Sequence, residues 1–400
     1  MNICGIVCEF NPFHNGHRYL IDVCRRSLGE DSAVVCVMSG DFVQRGEAAV
    51  FRKHDRARAA VAGGADLVLE LPLPWSMAPA NTFARGGVGL LHAIGCVTHL
   101  CFGSESGDLA LLKETAAALS RPELDGLIRA ELERGIGYAA ARERALEALT
   151  GKAEALRSPN DILAVEYLRA IETVGASMRP FAVERRGAEH DAAEENAMPS
   201  AAFLRQRLRR GADAAAWMPG AAWTALLQGP GMPDQHIIET AMLSRLRCAP
   251  ESAFAQAPDV AEGLENRVYA AARTEPTLEA IVDAASTKRY PRARVRRIVS
   301  AAALGLRRED SAGLPPYLRP LAADRRGLEL LREMEKNAAL PVLTKSAHVR
   351  RLGTIAERVF ALGAAAADLY ALGFADPEAR RGDGDWRAFP ALIMDAEHLQ

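Results

Sequence analysis

The sequence predicts an α/β fold in which a doubly wound parallel sheet is followed by a mainly helical carboxyl-terminal domain. Strand-like and helix-like segments alternate over residues 1–211, and this alternation is typical of a parallel sheet whose strands are joined by helices. Beyond Gly211 the strand signal fades, and the chain becomes rich in Ala, Leu and Arg at helical spacing. We therefore predict a first domain over residues 1–211 and a second over residues 212–400.

Short apolar runs predict five strands of the sheet, at residues 3–8, 33–38, 67–71, 98–102 and 180–184. Apolar residues at helical spacing predict connecting helices at residues 17–27, 52–62 and 81–93. Three further helices are predicted before the fifth strand, at residues 108–119, 123–133 and 138–149. Ligands of such sheets bind in the crevice beyond the carboxyl ends of the strands, so the loops that follow the strands are the candidate site.

The composition is that of a soluble globular protein, with 49% hydrophobic residues, 25% charged residues and a net charge of −2. Seven cysteines lie mostly in apolar runs without a CxxC pair, so we interpret them as reduced core residues. Met1 is followed at once by strand-like sequence, and no apolar run has the length of a membrane span. We expect a cytoplasmic protein without a membrane partner, and its histidine spacing predicts no protein-held metal.

The loop after the first strand carries the strongest chemical signal. It is the run CEFNPFHNGH at residues 8–17, in which the strand ends, Pro12 blocks its continuation and Gly16 allows close backbone approach before a helix begins. A helix amino terminus presents unpaired N–H groups and suits phosphate. His14 and His17 can donate hydrogen bonds to a triphosphate and stabilise charge during transfer at the α-phosphate. Two histidines near a turn also arise by chance, but their position between a strand and a helix favours nucleotide chemistry.

This loop resembles the HxGH signature of the nucleotidyltransferase superfamily. More narrowly, residues 5–17, 38–47 (MSGDFVQRGE), 102–105 (FGSE), 158–163 (SPNDIL) and 287–290 (TKRY) resemble the tRNA(Met) cytidine acetate ligase family. The matching segments extend across most of the chain, which makes the set far more specific than HxGH alone. The resemblance implies an HxGH nucleotidyltransferase-like sheet domain and a helical domain that binds tRNA.

The resemblance also implies a reaction and its participants. ATP, accompanied by Mg²⁺, and acetate would give acetyl-adenylate, and the acetyl group would pass to the exocyclic amine of the wobble cytidine of elongator tRNA(Met). In this scheme His14 and His17 are catalytic. The expected ATP contacts are Val7, Cys8, Glu9, Phe10, Asn11, Pro12, Phe13, His14, Asn15, Gly16, His17, Arg18, Tyr19, Leu20, Gly103, Asn160, Arg185 and Arg186.

Two further segments near the expected site have alternative interpretations. In residues 40–46, Asp41 or Arg45 can form a polar wall near the reacting groups, or the glycines can simply serve tight turns; we assign Asp41 to the catalytic set. Arg185 and Arg186 follow the fifth strand and can bind a phosphate or remain solvated. The charged residues 52–56 open a helix and are interpreted as a solvated face.

The second nucleotide motif of the superfamily departs from its usual pattern in this chain. Residues 200–205 read SAAFLR, and the threonine that the resemblance leads us to expect is replaced by Ala202. One hydroxyl contact is therefore absent, while Ser200 and Arg205 remain. We expect a weaker grip on ATP rather than loss of the mechanism.

The densest basic segment lies at residues 288–297. Its cations can neutralise RNA phosphates, and Tyr290 can stack on an unpaired base. A solvated basic helix face is the alternative on composition alone. With the resemblance, we predict RNA contacts from Lys288, Arg289, Arg292, Arg294, Arg296 and Arg297.

Two other functions share parts of this pattern. An adenylyltransferase acting on a small metabolite would use the same histidine loop, but it has little need for a basic helical domain. A noncatalytic RNA-binding relative would keep the fold without turnover, and Ala202 is the feature that favours it.

Overall fold

A seven-stranded sheet organises the computed structural model, which describes residues 1–185, 198–261 and 263–393. The strands lie in the order β5-β4-β1-β2-β3-β6-β7. They span β1 (Ile3–Cys8), β2 (Ala33–Ser39), β3 (Leu67–Leu71), β4 (His99–Ser104), β5 (Arg179–Glu184), β6 (Pro320–Ala323) and β7 (Ala391–Leu392). The first five are parallel to one another, as predicted.

Helices cover both faces of the sheet and form most of the chain after residue 211. Those of the first part are α1 (Asn15–Leu28), α2 (Lys53–Ala62), α3 (Leu73–Ser76), α4 (Ala80–Ala93), α5 (Leu109–Leu119), α6 (Pro122–Glu133), α7 (Tyr138–Thr150), α8 (Pro159–Val174) and α9 (Ala201–Arg209). The later ones are α10 (Gly220–Leu227), α11 (Gln235–Cys248), α12 (Glu251–Ala255), α13 (Leu264–Thr274), α14 (Leu278–Ala285), α15 (Arg292–Leu304), α16 (Arg325–Asn337), α17 (Thr354–Ala371) and α18 (Gly384–Arg387). Within the described ranges, none of these helices is long and apolar enough to cross a membrane.

The sheet is doubly wound because the chain runs outward from β1 in both directions. β2 and β3 follow on one side of β1, and β4 and β5 follow on the other. Alternate residues of β2 belong to different cores: Val35 and Val37 pack on one face, and Val34 and Cys36 on the other. Both faces are therefore buried, which explains why the strands read as continuous apolar runs.

The glycines of α4 bring this helix directly onto the sheet. A Cβ at Gly87 would lie 2.6 Å from a methyl carbon of Val7, and one at Gly86 would lie 2.7 Å from Trp75. Neither side chain has room to yield in a buried core. These glycines therefore serve packing under the carboxyl end of β1, where the candidate site lies.

The chain after residue 211 is mainly helical, but it also contributes two strands that the sequence did not predict. β6 pairs antiparallel with β3, and β7 pairs parallel with β6. The strands are only four and two residues long, too short for an alternating pattern to stand out. The division into residues 1–211 and 212–400 remains a prediction, and the second part extends the sheet of the first.

The charged start of α2 is buried, which corrects its interpretation as a solvated face. Lys53 is 1% exposed, and its ammonium forms ion pairs with Glu70 of β3, at 2.6 Å, and with Asp385 of α18. Arg319, just before β6, bonds the same two carboxylates at 2.7 and 3.0 Å. This ionic cluster of two cations and two carboxylates joins α2 and β3 to α18. Its two positive and two negative charges cancel.

We expect Asp385→Asn to destabilise the protein, because it leaves one buried cation without its counter-charge. Loss of one partner of a buried ion pair costs about 3–5 kcal/mol. Burial alone would raise the pKa of Asp385, but Lys53 and Arg319 lower it well below its usual range. The stabilisation is therefore present above the unfolded-state pKa of about 3.9 and is lost as the pH falls below it.

Urea denaturation at pH 7 and pH 3 measures this effect. The matched control is Asp125→Asn on the exposed face of α6, which should leave the free energy of unfolding unchanged. Equal unfolding midpoints for Asp385→Asn and the native chain at pH 7 would contradict the role of the cluster.

Candidate active site

A cavity of about 470 Å³ opens at the carboxyl ends of β1 and β4, the two neighbouring strands at which the strand order reverses. Its size is typical of a small-molecule site, and its position is that at which doubly wound sheets bind ligands. The β1–α1 loop forms one wall, Phe102 and Gly103 of β4 form another, and the amino ends of α8 and α9 complete it. The cavity thus lies where the sequence predicted it.

The two histidines of the β1–α1 loop cap the helix that they open. The backbone N–H of Gly16 donates to Nδ1 of His14 at 3.0 Å, and the backbone N–H of His14 donates to Nδ1 of His17 at 3.2 Å. Their ring centroids are 3.9 Å apart. Because Nδ1 of each ring accepts a hydrogen bond, the proton of each neutral imidazole lies on Nε2.

Both histidines stay neutral in this setting. Burial, followed by the charges of Arg185 and Arg205, lowers the pKa of His14 to about 3. Burial, His14 and Arg185 lower the pKa of His17 well below its usual value. The rings therefore offer N–H donors to an anion without carrying a charge themselves, and the helix amino terminus adds its own partial positive charge.

Most of the predicted nucleotide contacts line this cavity. They are Val7, Cys8, Glu9, Phe10, Asn11, His14, Gly16, His17, Tyr19, Leu20, Gly103, Asn160 and Arg185. Pro12 and Phe13 of the loop and Asn15 and Arg18 of α1 are not among the lining residues. Arg186 lies outside the described residues.

Two of the non-lining residues face other parts of the fold. Phe13 is fully buried and packs against Gly63, where a Cβ would lie 2.2 Å from its ring. Arg18 pairs with Asp22 at 2.7 Å, one turn along α1. Phe13 thus packs into the core, whereas Arg18 lies on the exposed side of α1. Contact of ATP with the loop remains a prediction.

A carboxylate network fixes the amino end of α8 beside Gly103. Glu105 accepts hydrogen bonds from the side-chain amide of Asn160 and, at 3.0 Å, from the backbone N–H of Asp161. Asp161 in turn accepts from the hydroxyl of Ser104 and the backbone N–H of Glu105. This reciprocal pairing holds Asn160 at the cavity wall, and neither carboxylate was singled out from the sequence.

Three arginines lie around the cavity mouth. Arg205 of α9 donates to the carbonyl of Asn11 at 3.0 Å, which ties α9 to the histidine loop. Arg45 and Arg185 are exposed and line the cavity. Within residues 1–185, 198–261 and 263–393, neither has an ion pair or a side-chain hydrogen bond. These two guanidinium groups are available to an anionic ligand.

The second nucleotide motif also reaches the cavity. Ser200 caps α9 by accepting from the backbone N–H of Phe203 at 3.2 Å. Ala202 lines the cavity at the second residue of α9. A threonine at position 202 would therefore place its hydroxyl on the cavity wall.

Asp41 does not line the cavity, which corrects its assignment as a wall near the reacting groups. It is 6% exposed and accepts a hydrogen bond from the backbone N–H of Lys53 at 2.6 Å. Its carboxylate thus stabilises the start of α2. The adjacent residues Val43, Gln44, Arg45 and Glu47 line the cavity instead, because the loop turns back after Phe42.

The arginines of α15 are largely compensated by acidic residues of other elements. Arg292 pairs with Glu279 and Asp283 of α14, and Arg296 bonds Glu279 at 2.8 Å. Arg294 and Arg297 both pair with Asp259, at 3.3 and 2.9 Å. Although the basic segment contains no acidic residue of its own, most of its positive charge on α15 is therefore neutralised in the fold. Its contact with RNA remains a prediction.

Tyr290 does not present its ring for base stacking, contrary to our expectation. It is 9% exposed and belongs to the core of the helical part. The guanidinium of Arg294 lies 5.6 Å from its ring centroid. Lys288 and Arg289, by contrast, are exposed.

Comparisons with known proteins identify the family of this chain. Residues 1–385 match the family model described as HIGH Nucleotidyl Transferase. The tRNA(Met) cytidine acetate ligase of Acetivibrio thermocellus is 34% identical, over 95% of this chain and 97% of the relative. That of Syntrophomonas wolfei is 35% identical, over 98% and 99%.

Solved structures show the same fold. The crystal structure of Thermotoga maritima TmcAL bound with alpha-thio ATP has a TM-score of 0.90 and 30% identity, covering 99% of this chain and all of that one. Its apo form has a TM-score of 0.92 at the same identity and coverage.

We expect the rings of His14 and His17 to remain neutral, with the proton on Nε2, from pH 8 down to pH 5. Long-range ¹⁵N NMR of the histidine rings tests this, with His14→Asn and His17→Asn variants used to assign the signals. The unfolded chain binds protons near pH 6.5, so stability should decrease as the pH falls from 6.5 toward 3. Protonation of either ring between pH 6 and 7 would contradict the assigned state.

Proposed function

Because this chain belongs to the tRNA(Met) cytidine acetate ligase family of HIGH nucleotidyl transferases, we propose that it acetylates a cytidine of tRNA. In this proposal the enzyme uses ATP to activate acetate as acetyl-adenylate. It then transfers the acetyl group to the exocyclic amine of the wobble cytidine of elongator tRNA(Met).

The observation that carries the proposal is the pair of neutral histidines at the start of α1. Their Nδ1 atoms are occupied by backbone N–H groups, so Nε2–H of each ring is left as a donor on the wall of the cavity. Donors fixed in advance stabilise negative charge that develops during the reaction without the cost of reorganisation. A triphosphate with its α-phosphate near these rings would receive such stabilisation.

The two chemical steps balance with ATP, acetate and RNA alone. An acetate oxygen attacks the α-phosphorus, a P–O bond forms and pyrophosphate leaves. The cytidine amine then attacks the acetyl carbon, the C–O bond to AMP breaks, and the amine loses one proton. No covalent enzyme intermediate is needed, so positioning and charge stabilisation are the main contributions of the protein.

Mg²⁺ that accompanies ATP would neutralise phosphate charge when bound. Oxygen ligands suit this ion, and the carboxylates of Glu9 and Glu184 line the cavity. Burial raises the pKa of Glu9, and the hydrogen bond from Gln44 and the charge of Arg205 oppose this shift. The cavity therefore has oxygen donors that fit the ion.

The test is incubation of the protein with ATP, labelled acetate and elongator tRNA(Met). Label retained in the RNA supports the ligase. ATP consumption with label in neither RNA nor adenylate, and with an adenylylated small metabolite as product, would support the rival adenylyltransferase. RNA binding without ATP consumption would support a noncatalytic relative.

We expect His14→Asn to reduce acetate-dependent exchange of pyrophosphate into ATP by about 100- to 1000-fold, the typical effect of removing one such donor. Asparagine is a favourable helix cap, so α1 should persist while the Nε2–H donor is lost. His92→Asn, at an exposed position in the last turn of α4, is the control. Exchange within threefold of the native rate would refute the role of His14.

We expect Ala202→Thr to tighten ATP binding by about 2- to 12-fold, because a hydrogen bond contributes about 0.5–1.5 kcal/mol. Calorimetric titration with a non-hydrolysable ATP analogue measures the change. Ala139→Thr places the same substitution at the second residue of α7, on an exposed surface, and should have no effect. Unchanged or weaker affinity in Ala202→Thr would contradict this account of the missing hydroxyl.

A further inference from the structure

A second pocket of about 380 Å³ adjoins the active-site cavity, between the loop at residues 42–48 and the helical part of the chain. Glu47 lines both the cavity and this pocket. Arg209, at the end of α9, and Glu239, Glu279 and Arg296 complete its polar lining. A ligand in the second pocket would therefore meet the active-site cavity at Glu47.

The loop between the two cavities is held rigidly. The backbone N–H of Val43 donates to the carbonyl of Glu47 at 3.0 Å, which closes a tight hairpin. Ser300 of α15 donates to the carbonyl of Gly46 at 2.7 Å. Gly46 has a φ of 78°, and a Cβ there would lie 3.0 Å from the backbone of Arg297. Glu47 is thus presented from a fixed position against α15.

The polar groups of the second pocket combine acceptors with donors. Arg296 bonds Glu47 at 3.0 Å and Glu279 at 2.8 Å, so a guanidinium and two carboxylates lie side by side. Arg209 also lines the pocket and is exposed. In the parts of the chain that the structure describes, Arg209 has no ion pair or side-chain hydrogen bond. It is therefore a donor still available to a ligand.

We infer that this second pocket binds the cytosine base that accepts the acetyl group, with Glu47 accepting a hydrogen bond from its exocyclic amine. The pairing edge of cytosine presents one donor, the amine, beside two acceptors, the ring nitrogen and the carbonyl oxygen. Carboxylates recognise the amine, and arginines can serve the acceptors. Proteins read unpaired RNA bases by hydrogen bonds on this edge.

Glu47 places the second pocket next to the site of the reaction. The inference rests on the proposed function, because the amine must approach the acetyl-adenylate formed in the active-site cavity. An amine held at Glu47 lies at the boundary of the two cavities. Uridine has a carbonyl oxygen in place of the amine, and that oxygen would face the carboxylate of Glu47 unfavourably. The pocket therefore selects cytidine over uridine.

The first test compares binding of elongator tRNA(Met) with binding of the same RNA carrying uridine at the wobble position. We expect the native chain to bind the cytidine form about 5- to 150-fold more tightly, the usual range for one well-placed base contact. In Glu47→Gln the amide can donate to the uridine oxygen, so the preference should fall below about threefold. Equal binding of both RNAs by the native chain, or full preference in Glu47→Gln, would overturn the inference.

The second test separates the base pocket from general attraction of RNA. Arg209→Ala should weaken binding of the cytidine RNA by about tenfold. Arg210 is the next residue, is also exposed and is not among the residues lining the pocket. Arg210→Ala should therefore change binding by less than about threefold at the same salt concentration. Equal effects of the two substitutions would overturn the inference.

Acetate-dependent exchange of pyrophosphate into ATP by the native chain, measured without RNA, distinguishes the two proposals. Normal exchange together with absent cytidine preference would overturn the base pocket and leave acetate activation intact. Absent exchange would overturn the proposed function, and the binding comparison would still decide whether the pocket selects cytidine.

Discussion

One buried guanidinium holds together the two loops that form the active-site cavity. Arg56 of α2 is fully buried and donates hydrogen bonds to the carbonyls of Glu9, Ser39, Gly40 and Phe51. Glu9 follows β1, Ser39 and Gly40 lie at the end of β2, and Phe51 precedes α2. At the ends of β1 and β2 the chain leaves the sheet and its backbone groups lose their ladder partners. The Arg56 guanidinium thus provides hydrogen-bond donors for the unpaired carbonyls at the ends of both strands. It thereby fixes the loops after β1 and β2 relative to each other.

Two kinds of group in the cavity can contact an anion: neutral histidines in its interior and charged arginines at its mouth. His14 is buried, His17 is half-buried and both are neutral, so they can approach a phosphate closely without bringing a charge of their own. Arg45 and Arg185 carry their charge at the exposed mouth, where desolvation costs little. This division suits a reaction in which a highly charged triphosphate must enter and pyrophosphate must leave.

Local sequence was sufficient to predict the central sheet and the histidine loop. β1 and β3 have the predicted bounds, because buried parallel strands have a strong apolar signal. The burial of Lys53 and Arg56 was missed, because their partners at Glu70 and Asp385 or on loop carbonyls are distant in sequence. A run of charged residues shows the sign of its own charges in the sequence, but it does not show which distant residues neutralise them in the fold.

The arginines of α15 are also neutralised by residues that are distant in the sequence. Its arginines occur in a run without acids, but Asp259 and Glu279 fold against them from other elements. Because Asp41 follows β2, the sequence predicts that it lines the cavity, but the sequence does not show that its carboxylate turns toward the start of α2. Position in the sheet predicts which loop reaches a site, whereas tertiary contacts decide which side chains enter it.

The most direct test of acetate activation follows an oxygen atom. The protein is given ATP, elongator tRNA(Met) and acetate labelled with ¹⁸O, and the AMP product is analysed by mass spectrometry. Attack of acetate on the α-phosphorus, followed by cleavage of the C–O bond, predicts that each AMP formed with an acetylated RNA carries one ¹⁸O atom. AMP without ¹⁸O, formed alongside acetylated RNA, would contradict the acetyl-adenylate route.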